Sequence, residues 1–209
     1  MTNRRRWFFF PTLRIALAAG LLFAALAGTA VSGPFEDGVS AHTRGDFATA
    51  LQLWRPLADQ GNAPAQFNLG IAYQRGEGVP QDFEQALKWY RLSADQGYAR
   101  AQFNLAVMYH RGEGVPQNFE QAATWYREAA ERGEANAQFN LAGMFVNGRG
   151  VPKDYVQAAK WYDLAASHYT NAEEASRFKA LRNRDHLAEK MTPAQIAEAQ
   201  KEAREWKPK

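Results

Sequence analysis

The chain has 209 residues, 46% of them hydrophobic and 22% charged, so it can fill a sizeable core and is not a disordered, highly charged segment. Its formal charge of +3 is local: Arg4, Arg5, Arg6 and Arg14 lie in the first 32 residues, which hold no acid, and the remaining 21 Lys and Arg face 22 Asp and Glu. A near-neutral body lacks the basic face that a phosphate backbone requires, which excludes nucleic acid as the partner, and the absence of cysteine excludes disulfides, thiolate metal sites and a cysteine-linked lipid anchor.

Residues 1–32 read as an export signal. A basic start, MTNRRRW, precedes an apolar run from Ile15 to Ala27, and the small residues of AGTAVSG follow, with cleavage expected after Ala30 or Ser32. Arg14 and Pro11 interrupt the stretch, which leaves less than the ~20 apolar residues of a membrane span. Arg5-Arg6-Trp7-Phe8-Phe9 is loosely similar to a twin-arginine signal. The expected destination is the periplasm of a Gram-negative envelope or the outside of the cell, with membrane contact only through the signal if it stays uncut.

From Phe35 onward the sequence repeats. QFNL recurs at Gln66, Gln102 and Gln138, tryptophan at Trp89, Trp125 and Trp161, and GVP at Gly78, Gly114 and Gly150, each with a period of 36. ALQLWRPLADQG from Ala50 matches ALKWYRLSADQG from Ala86, which extends the register backwards. Each unit predicts two helices. In the first, Ala65, Leu69, Ala72 and Tyr73 follow the i, i+4, i+7, i+8 spacing of one buried face. In the second, Asp82, Asn118 and Asp154 are expected to cap, with Gln85, Gln121 and Gln157 reaching back, and Ala86, Trp89, Tyr90 and Ala94 form the stripe. Gly97 and Gly133 stand where the second helix should end in a left-handed residue. Gly70, Ala106 and Ala142 allow helices to approach closely.

The expected architecture is all-α: a right-handed α-solenoid of helix-turn-helix units, because one pair has no means of burying its apolar face alone. A partial unit covers 35–60, full units cover 62–96, 98–132 and 134–168, and a helical cap covers 170–209. Within the cap, a helix is expected from about Ala172 to Lys190. A second begins at Thr192, with Pro193 in the first turn, Gln195 three residues on, and Ile196, Ala199, Ala203 and Trp206 as its stripe.

The pattern AQFNLGIAYQRGEGVPQDFEQALKWYRLSADQG closely resembles the Sel-1-like repeat, a relative of the tetratricopeptide repeat, over about Gly45 to His168. The resemblance implies a helical solenoid that mediates protein–protein interaction, often outside the cytoplasm. Some relatives carry a cysteine pair in each hairpin; this chain has none.

RGEGVPQ, with two glycines before a helix, raises the question of a phosphate cradle. A phosphate loop follows a strand and offers free amides; here a helix precedes, Glu77 and Glu113 bring negative charge, and Pro80 and Pro116 remove an amide. The stretch is therefore read as a joint. Ser176 and Lys179 have the S-x-x-K spacing of serine β-lactamases and penicillin-binding enzymes, but neither SDN nor KTG completes the set. His42, His110, His168 and His186 lie at no metal-ligand spacing. The expectation is no catalytic residue, no cofactor and no metal. The alternatives are a β-lactam-binding envelope hydrolase and a peptidoglycan or carbohydrate binder, the second of which would need exposed Trp and Tyr rings.

What the repeat does carry is an aromatic opposite its own buried stripe. With Leu69 at zero and 100° per residue, Gln74, Phe67 and Ile71 fall roughly 140–200° away. Phe103, Val107 and His110, then Phe139, Gly143 and Val146, are their equivalents. Apolar side chains repeated on an outward face mark a contact surface. Tetratricopeptide relatives bind peptides on the face of their first helices, so the resemblance implies a groove with Phe67, Ile71, Gln74, Phe103, Val107, His110, Phe139 and Val146 as the residues that meet an envelope protein or peptide. The competing expectation is that curvature buries the three rings between successive first helices. Asn68, Asn104 and Asn140 are expected to bridge neighbouring turns.

Overall fold

A computed structural model describes residues 33–209, and the signal-peptide reading of residues 1–32 lies outside them. Ten α-helices follow one another among the described residues, without a strand. They pair as α1 (Pro34–Thr43) with α2 (Phe47–Asp59), α3 (Ala63–Arg75) with α4 (Phe83–Asp95), α5 (Ala99–Arg111) with α6 (Phe119–Glu131), and α7 (Ala135–Asn147) with α8 (Tyr155–His168). A 3₁₀ turn at Asn171–Glu173 leads into α9 (Glu174–Ala188), and α10 (Pro193–Glu205) ends the helical region. From α1 to α9 each helix packs on its neighbours in sequence, whereas α10 returns onto α8. That nearest-neighbour stacking is what defines an α-solenoid.

The helix starts follow their local chemistry. Asp82, Asn118 and Asp154 accept the amides of Gln85, Gln121 and Gln157 at 2.9–3.0 Å. The expected return arm does not form at these starts: the Gln157 side-chain amide donates instead to Glu202 on α10, at 2.9 Å. Reciprocal boxes occur among the described helix starts only at Thr170/Glu173 and Thr192/Gln195, the latter as expected for α10.

The joints are built by their glycines. Gly76, Gly112 and Gly148 end the first helices with φ of +73°, +74° and +65°. The second glycine has a further duty. At Gly78, Gly114 and Gly150 a Cβ would stand within 2.9 Å of Phe47, Phe83 and Phe119 respectively, because the joint lies against the first turn of the preceding second helix. Two amides of each joint are held internally: Glu77 donates to Ala72 and Asp82 to Tyr73, both at 2.9 Å, and the next joint repeats the pair from Glu113 and Asn118.

In the core, Ala65, Leu69 and Ala72 are buried as expected, while Tyr73 is only half-covered and accepts from Arg55. In α4 and α6 the deepest ring is the tyrosine rather than the tryptophan. Tyr90, Tyr126 and Tyr162 are buried, and Tyr90 sits so tightly on Gly70 that a Cβ there would be 2.5 Å from its ring. Trp89 and Trp125 are half-buried, with Lys88 and Arg91 over their rings; Trp161 alone of the three is buried. The tyrosine faces the small residue of its own hairpin, so the neighbouring tryptophan is turned toward the helix edge.

The glutamine of QFNL joins one hairpin to the one before. Buried Gln66, Gln102 and Gln138 donate to the carbonyls of Ala58, Ala94 and Ala130 at 2.9–3.1 Å. Their acceptor oxygens differ. Gln66 is met by Gln96 at 2.7 Å and Gln138 by His168 at 2.9 Å, but the Gln102 oxygen has no partner, because Arg132 in the equivalent place turns to Glu128. Buried polar atoms are ordinarily paired; the Trp89 and Trp125 indole nitrogens share this lack of a partner.

Helix α9 stacks on α8 as a further first helix would. Ala180 is fully buried like Ala65, Ala101 and Ala137, and Asn183 bonds Tyr162 as Asn104 bonds Tyr90 and Asn140 bonds Tyr126. Asn104 and Asn140 thus bridge successive hairpins. Helix α10 then covers α8, with Glu202 accepting from Lys160 at 3.0 Å and Trp206 standing edge-on to His168, ring centroids 5.1 Å apart.

Candidate functional site

Phe67, Phe103 and Phe139 occupy the same place on α3, α5 and α7, and all three are half-buried. One side of each ring rests on the tyrosine of its own hairpin, at centroid distances of 5.9 Å to Tyr90, 5.9 Å to Tyr126 and 5.3 Å to Tyr162. The rest of each ring lines a hollow, where Tyr98 also stands 5.3 Å from Phe67 and the Lys179 ammonium 5.2 Å from Phe139. The rings are covered in part by the second helix of their own hairpin, not between successive first helices. A ring held against a buried tyrosine presents its accessible area with little side-chain entropy to lose.

Three adjoining hollows run along these helices. The first, near α1, is lined by Phe35, His42, Trp54, Phe67, Ile71 and Tyr98. The middle one shares Phe67 and Arg100 with it and adds Phe103, Asn104, Glu134 and Glu173. The third shares Phe103 with the middle one and adds Val107, His110, Tyr126, Phe139 and Arg149. The third hollow holds about 350 Å³, at the low end of the ~300–1,000 Å³ of small-molecule pockets. A chain of small, open hollows with shared aromatic walls suits successive side chains of a polypeptide better than one enclosed metabolite.

Of the eight residues singled out in the sequence, six line the hollows: Phe67, Ile71, Phe103, Val107, His110 and Phe139. Gln74 is committed to the scaffold, accepting from the Tyr90 hydroxyl at 2.7 Å and donating to Glu113 at 3.4 Å. Val146 packs against the core cluster of α6–α8 rather than into a hollow. Residues the helical angles did not indicate are Tyr98, Arg100, Tyr126, Arg111 and Arg149, which come from the two ends of α5, a joint and a second helix. Arg149 had a signal in the sequence, as the departure from Glu77 and Glu113 at the same place in the repeat.

The chemistry of the lining is that of contact. Burial pushes the Tyr126 hydroxyl up to about 12 against the opposing hydrogen bond to Asn140, and shifts Tyr90 upward in the same way, so both remain neutral hydrogen-bonding phenols. His110 is lowered by burial and by the Arg149 and Arg111 charges, which keeps its imidazole neutral near pH 7. Outside the hollows, Ser176 is half-buried, and Lys179 places its ammonium 5.2 Å from the Phe139 ring centroid. Among the described residues no three His, Cys, Asp or Glu converge as a metal site would need.

Helical hairpins stacked in sequence order define a helical repeat protein. The Sel1 repeat model matches residues 35–62, 63–98, 99–134 and 135–168, and the chain belongs to the Sel1 repeat family. Sel1 repeat proteins are generally protein-interaction scaffolds and typically non-catalytic. Among solved structures, the chain is similar to a Sel1 repeat protein from Oxalobacter formigenes, at 34% identity and a TM-score of 0.64, over 70% of this chain and 58% of that one. It is also similar to c5321, a protective antigen of uropathogenic Escherichia coli with an SLR fold, at 30% identity and a TM-score of 0.50, over 83% of this chain and 44% of that one. This chain thus spans about half the length of those two proteins. Helicobacter pylori cysteine rich protein B aligns at 15% identity and a TM-score of 0.49, over 63% of this chain and 96% of that one. No curated protein sequence matches significantly.

Proposed function

We propose that this protein is an exported, non-catalytic adaptor of the bacterial envelope, which binds a segment of another protein along the face formed by α3, α5 and α7. The observation that carries the reading is the aromatic ladder: three phenylalanines 36 residues apart, each held on a buried tyrosine and each left open toward the same row of hollows. Large rigid rings at the centre of a hollow supply most of the energy in such contacts. Export rests on the order of basic, apolar and small residues in positions 1–32.

The test is capture of partners from an envelope extract, with quantitative mass spectrometry. The triple variant Phe67→Ala, Phe103→Ala, Phe139→Ala should keep the helical circular dichroism and lose the partners that the parent retains. Leu92→Ala, which removes an exposed side chain of α4 outside the three hollows, should lose none. Survival of every partner in the triple variant would refute the groove. Periplasmic fractionation with N-terminal sequencing tests export, with a new terminus expected at Val31 or Gly33.

A further inference from the structure

The three joints are not alike in charge. After α3 and after α5 the residue between the two glycines is an acid, and each reaches back to the last turn of the preceding first helix. Glu77 meets His42 at 2.7 Å, and Glu113 meets Gln74 at 3.4 Å. The third joint has Arg149 at this place, and the residue in the corresponding last turn is His110. Both side chains converge on Phe119: the Arg149 guanidinium lies 5.7 Å from its centroid and the His110 ring 5.3 Å. A base therefore faces a base where the other joints pair an acid with its partner.

The surroundings do not supply the missing acid. Arg111 adds a second guanidinium to the same hollow, and its contact with Glu113 is a 3.4 Å pair in which the arginine is 63% exposed. No Asp or Glu lines the third hollow, whereas the middle hollow sets Glu134 and Glu173 against Arg100. Lys179, over Phe139, adds positive charge beside the rim. Asn140 and Asn147 supply neutral amides, and the rings of Phe103, Phe139 and Tyr126 supply an apolar wall.

We propose that the third hollow is an acidic-residue pocket, in which Arg149 and Arg111 receive the side-chain carboxylate of a bound polypeptide while Phe103 and Phe139 take an adjacent apolar side chain. This rests on the groove reading above and gives it a direction, since of the three hollows only the one near α7 is lined by two guanidinium groups and no acid. Guanidinium groups match carboxylate geometry with paired donors, and the Phe119 ring holds Arg149 in place from behind.

The experiment uses the full chain and fluorescein-labelled nonapeptides with Phe and Leu at alternate positions and one central Glu, read by fluorescence polarisation. Gln and Lys replace the Glu in two further peptides, and each is made with a free and an amidated terminus. The Glu peptide should bind roughly tenfold tighter than the Gln peptide at low salt, a margin that shrinks as sodium chloride is raised. Arg149→Glu, which copies the residue already present at 77 and 113, should abolish that margin, favour the Lys peptide, and leave Gln-peptide binding and the melting temperature close to the parent's. Arg149→Gln should remove the margin without inversion. Equal binding of Glu and Gln peptides, or a margin that survives in Arg149→Glu, overturns the pocket and leaves the groove. A margin that follows the free terminus rather than the Glu overturns the assignment to a side chain. Failure of all three peptides to bind overturns groove and pocket together.

Discussion

The joints make a quantitative prediction from two glycines two residues apart. Gly112 and Gly114 both have a left-handed backbone, φ +74° and +68°, so alanine at either costs roughly 1–2 kcal/mol for conformation alone. They differ in what a Cβ would touch. At Gly112 the nearest atom is the Gln117 nitrogen at 3.3 Å, a slightly tight contact; at Gly114 it would lie 2.7 Å from the Phe83 carbonyl oxygen and 2.8 Å from its carbon. Backbone at the start of α4 has no rotamer to change, so the joint must lift off the preceding hairpin, adding an overpacking cost of about 1–3 kcal/mol. Gly114→Ala should therefore lose about 2–5 kcal/mol, and Gly112→Ala about 1–2, in urea unfolding followed by circular dichroism. Because the joint sets how one hairpin seats on the last, Gly114→Ala should also weaken partner capture more than Gly112→Ala. Equal losses for the two variants would refute the claim that the second glycine is there for contact.

Three further predictions concern the stack. Arg132→Gln places an amide where Gln96 serves Gln66, and satisfying the bare Gln102 oxygen should stabilise by about 0.5–1.5 kcal/mol, against about 0.3–0.5 for the lost Arg132–Glu128 pair. A lowered melting temperature would contradict this. At Glu202 burial opposes ionisation, but hydrogen bonds from Lys160 and Gln157 outweigh it and lower the carboxyl. Glu202→Ala should cost about 1–2 kcal/mol and raise amide exchange in α10 before it does so in α5; uniform exchange would show that α10 is not held there. His110 and His168 are both lowered, by burial first and, for His110, by the two arginines. The unfolded chain then binds more protons than the folded one below the ordinary histidine value of about 6.5, so stability is full above that value and falls with pH through the depressed folded values. Denaturant midpoints at pH 7.5, 6 and 5 should descend, and His168→Gln, the residue found at 96, should flatten part of the slope.

Local physics explains which features were readable in the sequence. The period, the left-handed glycines 97 and 133, the caps of α4, α6 and α8 and the Thr192 box all depend on residues within a few positions of one another, and all are found. What escaped depends on neighbours brought up by stacking. Gln157 leaves its expected box because Glu202 arrives from α10, and tyrosine rather than tryptophan takes the deep place because Gly70 lets its ring come close. Gln74 falls at the right helical angle for the groove, yet the Tyr90 hydroxyl and Glu113 engage it. Helical angle also found the ladder without deciding its exposure, since half of each phenylalanine is covered by a tyrosine of its own hairpin. The arginines of the third hollow were visible as residues, but their facing one another follows from the fold.

Hydrogen exchange of the chain with and without a captured partner tests the central claim most directly. The groove predicts new protection concentrated in Phe67–Ile71, Phe103–His110 and Phe139–Gly143 on the three first helices, with the outer second helices α4 and α6 unchanged. Protection confined to those second helices, or to α10, would contradict it.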